Sequence, residues 1–162
     1  MNIEIEKFNQ IKQEAEDWYK DIDRIDCPFL KRKVNFNVKG LKHIKFKAWN
    51  KTRSISDQYL RLKFLRLAPA ILEKSGTLQE YQETKNFERI DSNSKWKKLM
   101  VPVKYYGFVV ILNYEIKVKV IVKEVYGGQP YFWSIIPFWK NKTNPITGEI
   151  KKVFHEGDLE ND

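Results

Sequence analysis

The run IKVKVIVKEV at residues 116–125 limits the possible folds more than any other part of this chain. Ile116, Val118, Val120 and Val122 alternate with Lys117, Lys119 and Lys123, and on an extended backbone residues two apart share a face. The run reads as a strand of a sheet with one apolar face, its polar side interrupted by Ile121. Neighbouring stretches repeat the pattern. Residues 99–112 and 131–138 read as strands, joined to the middle one by a tight connection at Asn113-Tyr114 and a looser turn at residues 126–130. Sequential strands with such short links pair antiparallel.

Before Trp96 the apolar spacing is nearer four. Phe8, Ile11, Ala15, Trp18, Tyr19 and Ile22 mark an amphipathic helix from residue 3 to about 21, and Cys27-Pro28 breaks it. Val34, Phe36 and Val38 alternate with Asn35, Asn37 and Lys39 as a short strand stopped by Gly40. Leu41, Ile44 and Ala48 give the following residues a weak helical face. Ser54 or Ser56 caps a helix over about 57–67, with Tyr59, Leu62, Leu65 and Leu67 on its apolar side and Arg61, Lys63 and Arg66 at polar positions. Pro69 kinks it or opens a second short helix that Ser75-Gly76 ends. Residues 77–94 are polar, with few apolar anchors, and read as a helical turn followed by a mobile loop. Turn-forming residues mark 141–162 as a tail, partly disordered. The expected class is α+β, N-terminal helices packed on a C-terminal antiparallel β-sheet. The expected organisation is an acidic helix at 1–26, a basic domain at 27–140 and a polar acidic tail at 141–162.

Charge follows the same division. Residues 1–26 carry net −4 and residues 149–162 net −3, so the centre, 27–148, carries net +16 within a total of +9. Such a centre attracts nucleic acid or another polyanion, and its binding weakens as salt rises. The acidic ends either keep the chain in solution or fold over the basic face as an internal mimic of phosphate. No apolar run reaches the ~18 residues of a membrane span. The start MNIEIEKFNQ lacks a signal pattern. The lone Cys27 excludes an internal disulfide and reads as a buried small hydrophobe. A cytoplasmic protein without a membrane partner is expected.

The basic charge concentrates in residues 31–53, KRKVNFNVKGLKHIKFKAWNKTR, with nine Lys or Arg and no acid. Phe36, Phe46 and Trp49 are interleaved, and His43 sits in the middle. Cations, flat rings and a group that titrates near neutrality suit a polyanion with exposed bases. A solvated basic face over an ordinary core has the same composition. A second aromatic segment, residues 129–140, ends on Lys140. On a regular strand Phe132, Ser134 and Ile136 share one face, and Tyr131, Trp133 and Ile135 the other. Ser134 is there either a satisfied core hydroxyl or a group held toward a phosphate.

No Cys/His cluster, EF-hand loop, phosphate loop or nucleophile elbow occurs, and Gly127-Gly128 belongs to a hairpin turn. Chemistry without metal or cofactor is therefore expected. RNA offers a route: a base takes the 2′-hydroxyl proton, the oxygen attacks the neighbouring phosphorus, and cations stabilise the phosphorane. His43 is the candidate base, and cationic surroundings favour its neutral form. Lys45, Lys47 and Arg53 are candidates for charge stabilisation, although each reads equally as a surface cation. Lys31, Arg32, Lys33, Lys42, Lys51, Trp49, Tyr131, Trp133 and Lys140 are candidates for nucleic-acid binding. His155 lies in the acidic tail and is expected to be incidental.

GLKHI at 40–44, RLAPAIL at 66–72, IKVKVIVKEV at 116–125 and YFWSIIP at 131–137 together carry a likeness that spans residues 34–140. In these pieces the chain resembles the barnase/EndoU/colicin/RelE-like group of small ribonucleases, in particular the nuclease-like domains of phage and mobile elements. The resemblance implies a helical layer followed by an antiparallel sheet that carries a metal-independent RNA-cutting site. A His or basic residue before the helix and a Ser or Thr on a late strand line the cleft in such proteins, and His43 and Ser134 match those positions. Many members carry a second histidine soon after the first. Lys45 and Lys47 stand there in this chain, which points to an inactive or lysine-dependent variant. The implied function is an endoribonuclease of toxin or effector type, held in check by an acidic protein inhibitor. Two other readings fit the same residues: a non-catalytic RNA- or DNA-binding module, and a phage or mobile-element protein whose basic face meets an acidic protein partner.

Overall fold

The computed structural model describes residues 4–47, 51–92, 95–113, 115–139, 146 and 158–162. The fold is α+β. Helix α1 (Ile5–Lys20) leads into a two-stranded hairpin, β1 (Ile25–Cys27) and β2 (Arg32–Val34), and then α2 (Val38–Lys45). Helix α3 (Ile55–Phe64) passes through a 3-10 turn at Leu65–Leu67 into α4 (Ala68–Glu73). Strands β3 (Glu80–Ser92), β4 (Lys95–Ile111), β5 (Ile116–Val125) and β6 (Tyr131–Trp139) then form an antiparallel meander in the order β3-β4-β5-β6. Ser54 caps α3, its side chain accepting from Asp57 N. Asn113 Oδ1 accepts from the amides of Glu115 and Ile116, which shapes the β4–β5 connection. At the β5–β6 turn Gly127 takes φ +80°, a left-handed conformation that favours glycine. Among the described residues no helix is long and apolar enough to cross a membrane.

The two faces of the sheet differ. Phe108 of β4, Val118, Val120 and Val122 of β5, and Phe132 and Ile135 of β6 form one core with the helices, including Phe8, Ala15 and Tyr19 of α1. Cys27 is buried in this core. The other face carries a smaller cluster of Val101, Val103, Tyr105 and Ile121, capped by Leu159. Covering a leucine side chain in this way stabilises by about 2 kcal/mol.

Several local expectations are overturned. Residues 80–92 are strand β3 rather than a turn and loop. Its residues at odd positions from Tyr81 to Arg89 are exposed and the even ones half-buried, so it lacks the apolar stripe that would announce a strand. Gly40 does not stop a strand. It lies within α2, where an added Cβ would collide with the Phe132 carbonyl and ring. The glycine thus lets α2 lie directly on β6. The strand before it is only Arg32–Val34, extended by a single bridge from Asn35 to Tyr131. Of the middle-strand lysines only Lys117 is exposed: Lys119 is fully buried and Lys123 nearly so. Arg61, expected at a polar surface position, is 3% exposed. Residues 158–162 are packed against the sheet, while 141–145 and 147–157 lie outside the described residues.

The face assignment in β6 also changes. Ser134 pairs with Ile121 and Phe132 with Val122, so Trp133 is the extra residue of a β-bulge. Phe132 and Ile135 therefore both turn to the core, and Trp133 and Ser134 both turn to the other face. Regular alternation would have separated the tryptophan from the serine.

Candidate functional site

Three cations and a hydroxyl converge on the face of the sheet away from the main core. Asp57 and Arg61 lie one turn apart on one side of α3, and Arg53, just before the Ser54 cap, reaches the same side. Asp57 bridges the two guanidinium groups, accepting from Arg61 Nε at 2.7 Å and from Arg53 Nη1 at 3.3 Å. Burial alone would raise the Asp57 carboxyl, but Arg61 and Arg53 hold it below its ordinary value. Burial and the neighbouring Arg61 push Arg53 down to about 10, which leaves it a cation at neutral pH. Arg61 Nη1 donates to Ser134 Oγ at 2.6 Å. Lys119 approaches from β5, where its ammonium pairs with Glu80 at 2.8 Å.

The chain's own acidic segment, residues 158–162, occupies this cluster. The main-chain oxygen of Asp162 accepts from Ser134 Oγ at 2.9 Å, from Arg53 Nη2 at 3.2 Å and from Arg61 Nη1. Arg53 Nη2 also donates to the Asn161 carbonyl, and Lys119 Nζ lies 3.3 Å from Asp162 Oδ2. The Trp133 indole donates to the Glu160 carbonyl at 3.0 Å, and Asn86 donates to the Glu160 carboxylate at 2.8 Å. Leu159 fills the apolar socket, and its amide donates to Gln82 Oε1 at 2.7 Å. Desolvation raises the Asp162 carboxyl, with Lys119 and Arg61 opposing.

Next to this closed half lies an open one. A cleft of about 350 Å³ is lined by His43, Trp133, Tyr131, Lys123, Glu88 and Arg89, with Lys39, Lys42, Phe46 and Lys47 at its α2 side. The His43 ring stacks on Trp133, centroids 3.9 Å apart and planes 17° from parallel. Lys123 Nζ stands 4.3 Å from the same indole and pairs with Glu88 at 2.9 Å. Tyr131 is 5% exposed, and its hydroxyl has no hydrogen-bond partner among the described residues. Burial raises its pKa, which keeps it a protonated donor at neutral pH.

His43 joins the two halves. Arg53 Nη2 lies 3.1 Å from His43 Nε2, and Arg53 Nε donates to the His43 carbonyl at 2.9 Å. A guanidinium has only donors, so Nε2 is the acceptor and the ring proton sits on Nδ1. Burial, then the charges of Arg53, Arg61 and Lys123, press the imidazole pKa down to about 2. The ring is neutral, but its lone pair is spent on Arg53 rather than offered to a ligand. In this arrangement His43 orients a cation and stacks on Trp133, and it is not placed to act as a base.

The other sequence candidates divide. Arg53, Ser134, Trp133 and Tyr131 meet at the site, and Lys42 and Lys47 line its open half. Lys45 does not: it pairs with Glu16 of α1, because two helical residues turn it about 200° from His43. Arg32 is tied to Glu124 at 3.0 Å and to the Gly128 carbonyl, and Lys31 and Lys33 are exposed on the same hairpin. None of these three lines the cleft. Lys51 is exposed, and Trp49, Lys140 and His155 lie outside the described residues. The sequence reading missed Arg61, Asp57, Lys119, Lys123 and Glu88; that an acidic end folds over the basic face was one of its two alternatives for the ends, and residues 158–162 lie there. Only the alternating charges at 53, 57 and 61 left a signal in the sequence. Among the described residues no three His, Cys, Asp or Glu side chains gather to hold a metal ion.

Searches against protein-family models, curated proteins and solved structures find no match to this chain.

Proposed function

We propose that this chain binds single-stranded RNA in the cleft and cuts it without a metal, as the resemblance to barnase/EndoU/colicin/RelE-like ribonucleases implies. One observation carries the reading. Arg53, Arg61 and the Ser134 hydroxyl are buried around one main-chain oxygen of Asp162 and Lys119 beside the carboxylate of the same residue, next to an open cleft lined by rings and cations. Desolvated donors fixed around one point suit a phosphate whose charge grows in the transition state. Trp133, His43, Tyr131 and Phe46 give the cleft an aromatic lining for a base, and Lys42, Lys47 and Lys123 accompany the backbone.

The proton transfers fall to the Glu88–Lys123 pair. Among the described residues Glu88 is the one carboxylate lining the cleft. It takes the proton of the 2′-hydroxyl as the O2′–P bond forms, and Lys123 returns a proton to O5′ as the P–O5′ bond breaks. The products are a 2′,3′-cyclic phosphate and a 5′-hydroxyl. Arg53, Arg61 and Lys119 hold the non-bridging oxygens, with Ser134 as a further donor.

Incubating the protein with labelled single-stranded RNA in EDTA, followed by end-group analysis, tests this. Cyclic-phosphate ends are expected, and Glu88→Gln is expected to slow their formation by about 100-fold or more while RNA binding stays within a few-fold. Salt-sensitive binding with RNA intact after long incubation would leave a binding module and remove the cleavage. No binding at low salt would remove both.

A further inference from the structure

The cluster that the reading above assigns to phosphate is already filled from within. We propose that residues 158–162 are an internal competitor for this anion site, so that nucleic-acid phosphate enters only as the segment leaves. The inference rests on the RNA reading for its natural ligand, but its geometry stands apart from any cleavage.

The segment reproduces what a nucleotide would present. Asp162 offers one oxygen to Ser134, Arg53 and Arg61 and a carboxylate to Lys119, acceptors of the type that phosphate oxygens present. The Glu160 carbonyl takes the indole N–H of Trp133, the ring at the boundary with the open cleft. No phosphate can reach the Arg53–Arg61–Ser134 donors while Asp162 holds them.

The attachment is also built to let go. Leu159 is the segment's one buried apolar anchor, seated on Val101, Val103, Tyr105 and Ile121, a cluster separate from the main core. The remaining contacts are polar, and those in which the segment accepts, from Ser134, Arg53, Arg61, Lys119, Trp133 and Asn86, are of the kind that phosphate oxygens make, while the Leu159 amide bond to Gln82 is simply given up. The main core contains no residue of the segment, so the helices and the sheet stay packed when it lifts.

The test uses the full chain and a 2′-O-methyl RNA oligomer, which cannot be cut through its 2′-oxygen. Leu159→Asp, which unseats the segment and leaves every cation in place, is expected to bind the oligomer about tenfold more tightly than the unaltered protein. In the unaltered protein, with leucine methyls labelled and Leu159 assigned through Leu159→Ile, titration with the oligomer should move the Leu159 signals to those of an unpacked side chain. Inorganic pyrophosphate is the second probe. If pyrophosphate releases Leu159 while the oligomer does not bind, the competitor stands and the RNA reading falls. If the oligomer binds to saturation with the Leu159 signals unmoved, the competitor is overturned and the RNA reading survives. A folded Leu159→Asp protein with unchanged affinity overturns it as well. Should that variant fail to fold, the methyl titration of the unaltered protein decides alone.

Discussion

The two faces of the β3–β6 sheet bury their side chains by different physics. Against the helices, Phe108, Val120 and Phe132 lose water and gain close packing, a gain that depends neither on direction nor on pH. On the opposite face Lys119, Lys123, Arg53 and Arg61 are equally hidden, yet each is kept there by a named partner: Glu80, Asp162, Glu88, Asp57. Desolvating a charge costs several kcal/mol, and only well-placed partners offset it. The core face therefore holds the fold together, while the charged face adds little net stability and stores a set of oriented donors. The binding capacity proposed above would thus sit where stability is least dependent on it.

Three measurements sharpen that contrast. Phe108→Ala is expected to have the largest effect, a loss of about 4 kcal/mol in urea unfolding, equal at pH 5 and pH 7. Arg61→Met should cost about 3 kcal/mol, because Asp57 and Ser134 lose a buried partner. In an Asp57→Asn background most of that loss should vanish, a coupling of at least 1 kcal/mol. Additive losses would mean that the two faces are stabilised alike. The smallest effect is the pH dependence from His43. In the unfolded chain this imidazole protonates near 6.5, and in the folded chain only at about 2. Between those values the unfolded state binds the extra proton, so stability falls as pH falls. The contribution is about 2 kcal/mol between pH 7 and pH 5. His43→Gln should remove that part of the slope, and an unchanged slope would mean that the ring is not held neutral.

The same contrast decides what could be read from the chain. Strands β4, β5 and β6 announced themselves because the core face demands apolar residues at every second position. Strand β3 did not. Its inward positions, Gln82, Asn86 and Glu88, face the charged side and meet Leu159, Glu160 and Lys123 there. Arg61 and Lys119 looked like surface residues because their type predicts exposure, and their partners lie 73 and 43 residues away. Gly40 has a tertiary reason, close contact with β6, which local punctuation rules misread as a stop. Arg53, Ser134 and Trp133 were visible as chemistry-bearing types. That they meet depends on a bulge, which no alternation pattern encodes.

That bulge ties the length of one strand to the whole site. Trp133 is a single unpaired residue between Phe132 and Ser134. Losing one codon here would restore a regular ribbon, and everything on one side of the lesion would exchange faces. A phenyl ring would stand where the arginine fork now meets a hydroxyl, or an indole would be forced among the valines. Drift in this gene is thus free to reshape the hairpin tips, but an insertion or deletion inside β6 would be punished twice, once as a ruined interior and once as a blunted clasp.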